Sequence, residues 1–475
     1  WYYDFYASGA DTVSVPGQLI KVINTDSSYY RKFESFPTGD SSRVIVRLPY
    51  AAGTLKSIRN YYNRDGSLIS KAISPKYPAT TGKRFITYGY DAAGRMARVG
   101  GAMQNYAEYT YLADGSPRDV LYGVYTCDEP GQCSPFVFDT LQAINFLYNA
   151  SGSLTNINSP SSVVGALTGF GAANDHFGEE LKYSTSSPIY WNGRIAEVKT
   201  ANSSGSSPIT NQYNYTYNEL SWLTYANHSS NNTLDQNFLY NALGQRKKVI
   251  TNPTGLTPDT VTYTYNSATP GSSRLVSFTG MSPKIFRYDT LGNLLSDSAR
   301  NIYSMSYDYR NLMTNAIMPP TIDQPSTLLM KYDETGNRIL KHFGYQVWTT
   351  CIGNPNNLVT PGGEDLLSGE MTADAMLGVD TGGGVSTNAG TGPGETYPCP
   401  AWASTSTYYL YDGGVLLATF DASDNVIDMF VNGPQGRIAS YYQNNNSYLY
   451  YYLADHLGSS RVMMQGVTFP QNYQV

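Results

Sequence analysis

The sequence predicts an all-β protein built as a repetitive spiral of β-hairpins. Three observations carry this reading. Tyrosine is in large excess, with 43 Tyr against 16 Phe and 5 Trp. Punctuation is dense, at 44 Gly and 25 Pro. Above all, a Tyr-Asp/Asn-x-x-Gly string recurs along the chain at near-regular spacing. Tyrosine suits strands with one packed and one wet face, because its ring is apolar and its tip polar.

The elements follow in chain order. Residues 1–44 read as a β segment continuing from an upstream region, and both termini are expected to be cuts through a larger protein. Residues 45–350 carry the repeats. The strong copies begin at Tyr62 (closing at Gly66), Tyr90-Asp91 (Gly94), Tyr148 (Gly152), Tyr240 (Gly244), Tyr288-Asp289 (Gly292) and Tyr332-Asp333 (Gly336). Weaker copies begin at Tyr111, Tyr190, Tyr217, Tyr265 and Tyr307. From Tyr217 to Tyr332 the successive spacings are 23, 25, 23, 19 and 25 residues. In each copy the Asp or Asn side chain is expected to cap backbone N–H groups just ahead of it. Two tolerant positions follow, then a Gly that takes the left-handed conformation. The unit therefore reads as a type I turn closed by a glycine bulge, joining two strands. One hairpin cannot bury its own apolar face, so neighbours must stack into a continuous sheet.

Residues 155–185 break the rhythm as a loop or altered repeat. Residues 351–402 form a Gly/Thr-rich acidic insert with the composition of a long excursion. Cys351 and Cys399 bracket it, as Cys127 and Cys133 bracket a shorter loop. These four cysteines fit two loop-closing disulfides or free thiols, and disulfides would imply an oxidising compartment. They match no zinc spacing, since Cys-x-x-Cys is missing and the four His are scattered.

Residues 403–475 close the chain with a different pattern. It includes Tyr409-Leu-Tyr411-Asp-Gly-Gly and Phe420-Asp-Ala-Ser-Asp-Asn, and then Asp455-His456-Leu457-Gly458-Ser-Ser-Arg461. The Tyr-Asp-x-x-Gly-x-Leu/Arg units resemble YD repeats, and residues 403–475 resemble the start of the Rhs repeat-associated core. The resemblance implies a β-strand spiral winding into a whole or partial hollow cocoon. Similar shells occur in bacterial polymorphic toxins, in the C component of insecticidal Tc toxins and in teneurins. In the toxin members the shell encloses a C-terminal effector, and the core plugs the end and often frees the effector by aspartyl autoproteolysis at Asp-Pro-x-Gly. This chain contains no Asp-Pro pair. Self-cleavage is thus not expected from these residues.

No residue is expected to be catalytic, and no cofactor or metal is expected. Asp455 and His456 are the acid–histidine neighbours of the core motif, but adjacent strand residues point to opposite faces. They read as a structural turn, with Gly458 permitting the bend and Arg461 pairing locally. Asp412, Asp421, Asp424 and Asp428 fit no calcium loop. Phosphate-loop, nucleophile-elbow and His-Glu-x-x-His motifs are missing. The net charge is −6 and no Lys or Arg lies between Lys341 and Arg437, which argues against nucleic acid. No apolar run reaches membrane-spanning length.

The expected function is a non-catalytic, secreted or surface-delivered shell whose partner is an effector domain beyond this chain. The alternative is a structural or adhesive scaffold at the cell surface, binding carbohydrate or protein and open to self-association.

Overall fold

The computed structural model describes residues 2–3, 19–23, 29–35, 41–49, 54–77, 83–101, 105–126, 137–163, 175–183, 193–203, 207–255, 257–266, 274–279, 284–320, 324–352, 396–442 and 448–465. Among them, regular structure is strand, apart from one 3₁₀ turn at Asn232–Leu234. The all-β hairpin fold read from the sequence is the fold observed. The chain divides into two compact units. One comprises residues 1–32, 45–56 and 285–425, and the other residues 33–44, 57–284 and 426–475.

In the larger unit each strand from Leu68–Tyr77 to Leu275–Thr279 pairs antiparallel with the next in sequence. This meander is what stacked hairpins require, and it includes the strands Leu154–Ile157 and Phe177–Lys182 in the stretch read as a loop or altered repeat. The last four strands, from Val426–Gly433 to Ser460–Gln465, form a second meander in the same unit. Its buried side chains include Val99, Ala107, Val120, Leu141 and Ile144 of the repeats and Ile438, Leu449 and Leu453 of the C-terminal strands.

In the smaller unit the strands from Ser304–Tyr307 to Val415–Phe420 pair the same way. The long strands Arg338–Ile352 and Thr396–Asp412 make a ribbon flanking the acidic insert. In the backbone register of that ribbon Cys351 stands opposite Tyr397 and Cys399 opposite Thr349. Cys127 and Cys133 lie outside the described residues, as does most of the insert.

The unit of construction is visible at atomic detail in the turn of Asp91–Arg95. Gly94 N–H donates to Asp91 C=O at 3.0 Å, and Asp91 N–H donates to Arg95 C=O at 2.9 Å, with Gly94 at φ +76°. The Asp91 carboxylate accepts from the backbone N–H groups of Ala93 and Arg95. A Cβ on Gly94 would meet nothing within 4 Å, so backbone conformation alone demands glycine there. The same bonds recur at 63–67, 112–116, 149–153, 218–222, 241–245, 289–293, 308–312, 333–337, 421–425 and 455–459. Five of the closing residues are glycines of the strong copies, at Gly66, Gly152, Gly244, Gly292 and Gly336. Ser221, Asn311 and Asp424 hold the same positive-φ position without being glycine.

Candidate functional site

The repeat tyrosines have a role that the sequence pattern does not reveal. One residue before each turn the ladder shifts register, as between Gly89 and Tyr90 or Leu239 and Tyr240. Past the turn, pairing with the following strand starts late: Met96 precedes the first such pair, at Arg98, by two residues. The carbonyl at that gap is taken by the hydroxyl of the next repeat's tyrosine. Tyr111 donates to Met96 at 2.6 Å, Tyr90 to Leu68 at 2.8 Å, Tyr148 to Pro117 at 2.9 Å and Tyr240 to Leu223 at 2.7 Å. Tyr217, Tyr265, Tyr307 and Tyr332 do the same to Ile195, Arg246, Leu294 and Met313. Each hydroxyl thus extends the ladder across a bulge, where an unpaired carbonyl is costly. Phenylalanine could supply the ring but not this bond.

One alignment needs correction. The tyrosine that reaches back to Leu154 is Tyr183, at 2.7 Å, and the residue accepting from Tyr217 is Ile195, just past Gly193. Tyr183 therefore holds the position that the sequence pattern gave to Tyr190, which lies outside the described residues. A longer connection between Tyr183 and Gly193 explains the misalignment.

The Asp-His-Leu-Gly motif is a further copy of the turn. Asp455 N–H donates to Ser459 C=O and Gly458 N–H to Asp455 C=O, with Gly458 at φ +78°. The Asp455 carboxylate accepts from Leu457 and Ser459 N–H, and Arg461 closes on it at 2.6 Å. Burial works against ionisation of Asp455, but the bonds from Ser459 and Arg461 outweigh it and hold its carboxyl below the ordinary carboxylate range. Leu457 points outward at the apex, 76% exposed. The Asp455 carboxylate is thus engaged by its own turn and by Arg461. His456 instead turns to Glu179 on the strand Phe177–Lys182. Its backbone N–H donates to one carboxylate oxygen at 2.9 Å, and its Nδ1 meets the other at 2.9 Å. Glu179 is only 2% exposed at its side chain, so the pair is a clasp that fastens the C-terminal meander to the repeat sheet. No sequence signal links residues 277 positions apart.

Around that clasp the same two segments meet through tyrosine. The Tyr122 and Tyr451 rings stack at 5.4 Å, and Tyr106 and Tyr441 meet edge-on at 5.7 Å with their hydroxyls in contact. Tyr451 donates to Gly123 C=O at 2.9 Å. Burial pushes the hydroxyls of Tyr106, Tyr122, Tyr441 and Tyr451 above tyrosine's ordinary value. A cavity of about 130 Å³ lies beside them, lined by Ile73, Arg84, Phe85, Tyr106, Phe430 and Tyr441. Arg84 sits 5.5 Å over the Tyr441 ring.

In the smaller unit, turn residues reach the N-terminal segments. Glu334, just after Asp333, pairs with Arg31 at 2.6 Å, both nearly buried. Asp424 pairs with the fully buried Lys56 at 2.5 Å. Asp424 is thus engaged by a lysine, and the described residues contain no group of acids, His and Cys suited to a metal. No helix among them is long and apolar enough to cross a membrane, which leaves membrane β-barrels unaddressed.

Residues 180–346 match the family model described as the teneurin YD-shell. No curated protein sequence matches the chain. Among solved structures, a TcdB2-TccC3-TEV complex superposes over 96% of this chain at 12% identity and a TM-score of 0.47, with 22% of the solved chain covered. The TcdB2-TccC3 complex gives 96%, 10%, 0.45 and 23% for the same quantities. The Photorhabdus luminescens Tc holotoxin pore gives 94%, 10%, 0.26 and 29%. The chain therefore spans about a quarter of the length of these solved chains. The matched segment lies inside a run of turns with the same backbone hydrogen bonds that continues on both sides of it, from Asn63 to Ser459, and the chain carries a YD-repeat shell region over residues 180–346.

Proposed function

We propose that this chain is the wall of a container, a secreted or surface-delivered shell that encloses an effector polypeptide continuing beyond it. The observation that carries this reading is the fastening of the C-terminal meander to the repeat sheet. Tyr441 and Tyr451 bury their rings on the strands of Tyr106 and Tyr122, and His456 grips Glu179. A terminal segment held in this way sets where the following chain departs. The Asp, Gly and Tyr residues of the repeats are engaged in turns and ladder extension, so their role in this reading is mechanical. The partner is a polypeptide cargo, with no nucleic acid involved.

The test is to produce the chain together with the natural sequence that follows it and to digest the product with a broad protease. Encapsulation predicts that the following segment survives while shell and cargo are intact, and is degraded once the shell is unfolded. A segment cut as fast in the intact protein as when produced alone would refute it.

A second reading, a surface scaffold, is favoured by one feature. Trp348 and Trp402 are 63% and 59% exposed, and the ladder puts both on the same face of the long ribbon, beside Gln346. Large exposed indoles suit a ligand-binding face. Imaging separates the readings: discrete hollow particles favour the container, and fibres or cell-tethered polymers favour the scaffold.

A further inference from the structure

The repeat turn is closed by glycine in most copies because the position requires positive φ. At 421–425 the closing residue is Asp424, at φ +65°. Aspartate adopts this conformation less readily than glycine, and here its side chain makes contacts that glycine could not. That side chain enters the smaller unit. One carboxylate oxygen, Oδ1, lies 2.5 Å from Lys56 Nζ, and the other, Oδ2, accepts from the Thr54 hydroxyl. Thr54 Oγ1 also accepts from Lys56 Nζ, at 2.8 Å. The three groups form a closed ring of contacts. Lys56 is completely buried, and the Asp424 side chain is 12% exposed. The Phe420 ring lies beneath the amine at 4.6 Å. The site is thus nearly dry, with one apolar wall.

In such a setting an ion pair loses much of its advantage over the neutral amine and acid, because neither charge is hydrated. The neutral pair is reached by moving one proton along the existing contact. An uncharged amine held against a carboxylic acid is a nucleophile positioned at its electrophile, the arrangement in which proximity accelerates reaction most.

We propose that Lys56 and Asp424 form an intramolecular isopeptide bond. The Nζ–Cγ bond forms and one Cγ–Oδ bond breaks. Of the three protons of the ammonium, two leave with that oxygen as water and one stays on the amide nitrogen. Thr54, in contact with both Nζ and Oδ2, relays a proton to the departing oxygen. No oxidant, metal or second protein takes part. The product ties residues 368 positions apart in sequence, joining the strand Leu55–Tyr62, which leads into the first repeat turn, to the turn that ends the smaller unit.

The experiment is intact mass spectrometry of the purified full chain, followed by protease mapping under denaturing, reducing conditions. The bond predicts a protein lighter than its sequence by one water and a branched peptide joining Lys56 to Asp424. In Asp424→Asn the same attack expels ammonia, so the loss becomes one ammonia, with the branched peptide retained. Lys56→Arg keeps a cation facing Asp424 but cannot form this amide, and its mass matches its sequence. A wild-type chain of unreduced mass whose Lys56 and Asp424 peptides are recovered separately overturns the proposal. This readout is taken on the unaltered protein, so it does not depend on any variant folding.

Discussion

The turns at Asp91 and at Asp455 share one backbone and differ in what their apices do. At the first, Ala92 and Ala93 face solvent and the turn merely reverses the chain. At the second, the residue after Asp is His456, and it fastens the C-terminal meander to the buried Glu179. The smaller unit repeats the contrast: the turn at Asp289 carries the exposed Leu291, whereas the turn at Asp333 carries Glu334, clamped on Arg31. The Asp and Gly positions build the hairpin, and the variable positions between them decide whether a hairpin is merely wall or also a fastening point. A repeat can therefore acquire a contact without disturbing its own fold.

The sharpest way to break this contrast is Glu334→Ala, which leaves Arg31 facing an empty place in a nearly buried site. Losing one partner of such a pair costs about 3–5 kcal/mol, read as a lower denaturant midpoint for the transition of the smaller unit. Glu179→Gln should cost about 2 kcal/mol, since it weakens charge-assisted bonds to His456 without removing bulk. Ala92→Ser, at a plain apex, should move stability by less than about 0.5 kcal/mol. Equal effects of Glu179→Gln and Ala92→Ser in chemical denaturation would erase the distinction between the two kinds of turn.

Tyr240→Phe should cost about 1 kcal/mol, the worth of one hydrogen bond, and increase amide exchange near Leu223. Unchanged exchange there would mean that the hydroxyl does not extend the ladder. The gentlest test is acid. The carboxyls of Asp91, Asp289, Asp308 and Asp455 are held below their ordinary value. For Asp91 the first cause is the Arg95 N–H bond, whereas for the other three burial opposes ionisation and the turn bonds outweigh it. A depressed folded value means the stabilisation is complete above the unfolded carboxylate value, roughly pH 4, and is lost as pH falls through the folded one. Stability should therefore be flat from neutral pH to about 5 and decline below 4. A decline beginning near neutrality would point to groups other than the turn carboxylates.

The buried tyrosines set the opposite limit. Desolvation raises the hydroxyls of Tyr441 and Tyr451, so their contribution is complete below the unfolded tyrosine value and is lost as pH rises beyond about 10.

Much of the architecture could be read in the chain because a turn is a local object. The capping by Asp91 and Asn149, the positive φ at Gly66 and Gly152, and the local pairing of Asp455 with Arg461 all lie within seven residues of sequence. The pattern failed where the spacing changed, as between Tyr183 and Gly193, because alignment by motif assumes a constant connection length.

The sequence alone determined the hairpin unit, its repetition and the all-β class, since conformational preference at Gly and side-chain capping by Asp act over a few bonds. Only the tertiary structure decided where each tyrosine hydroxyl goes, which apices fasten onto other segments, and that Lys56, Arg31 and Glu179 meet partners at Asp424, Glu334 and His456. Those contacts join residues 277 to 368 positions apart. They depend on how many strands intervene and how the sheet twists, a sum over the whole wall that no short window of residues contains.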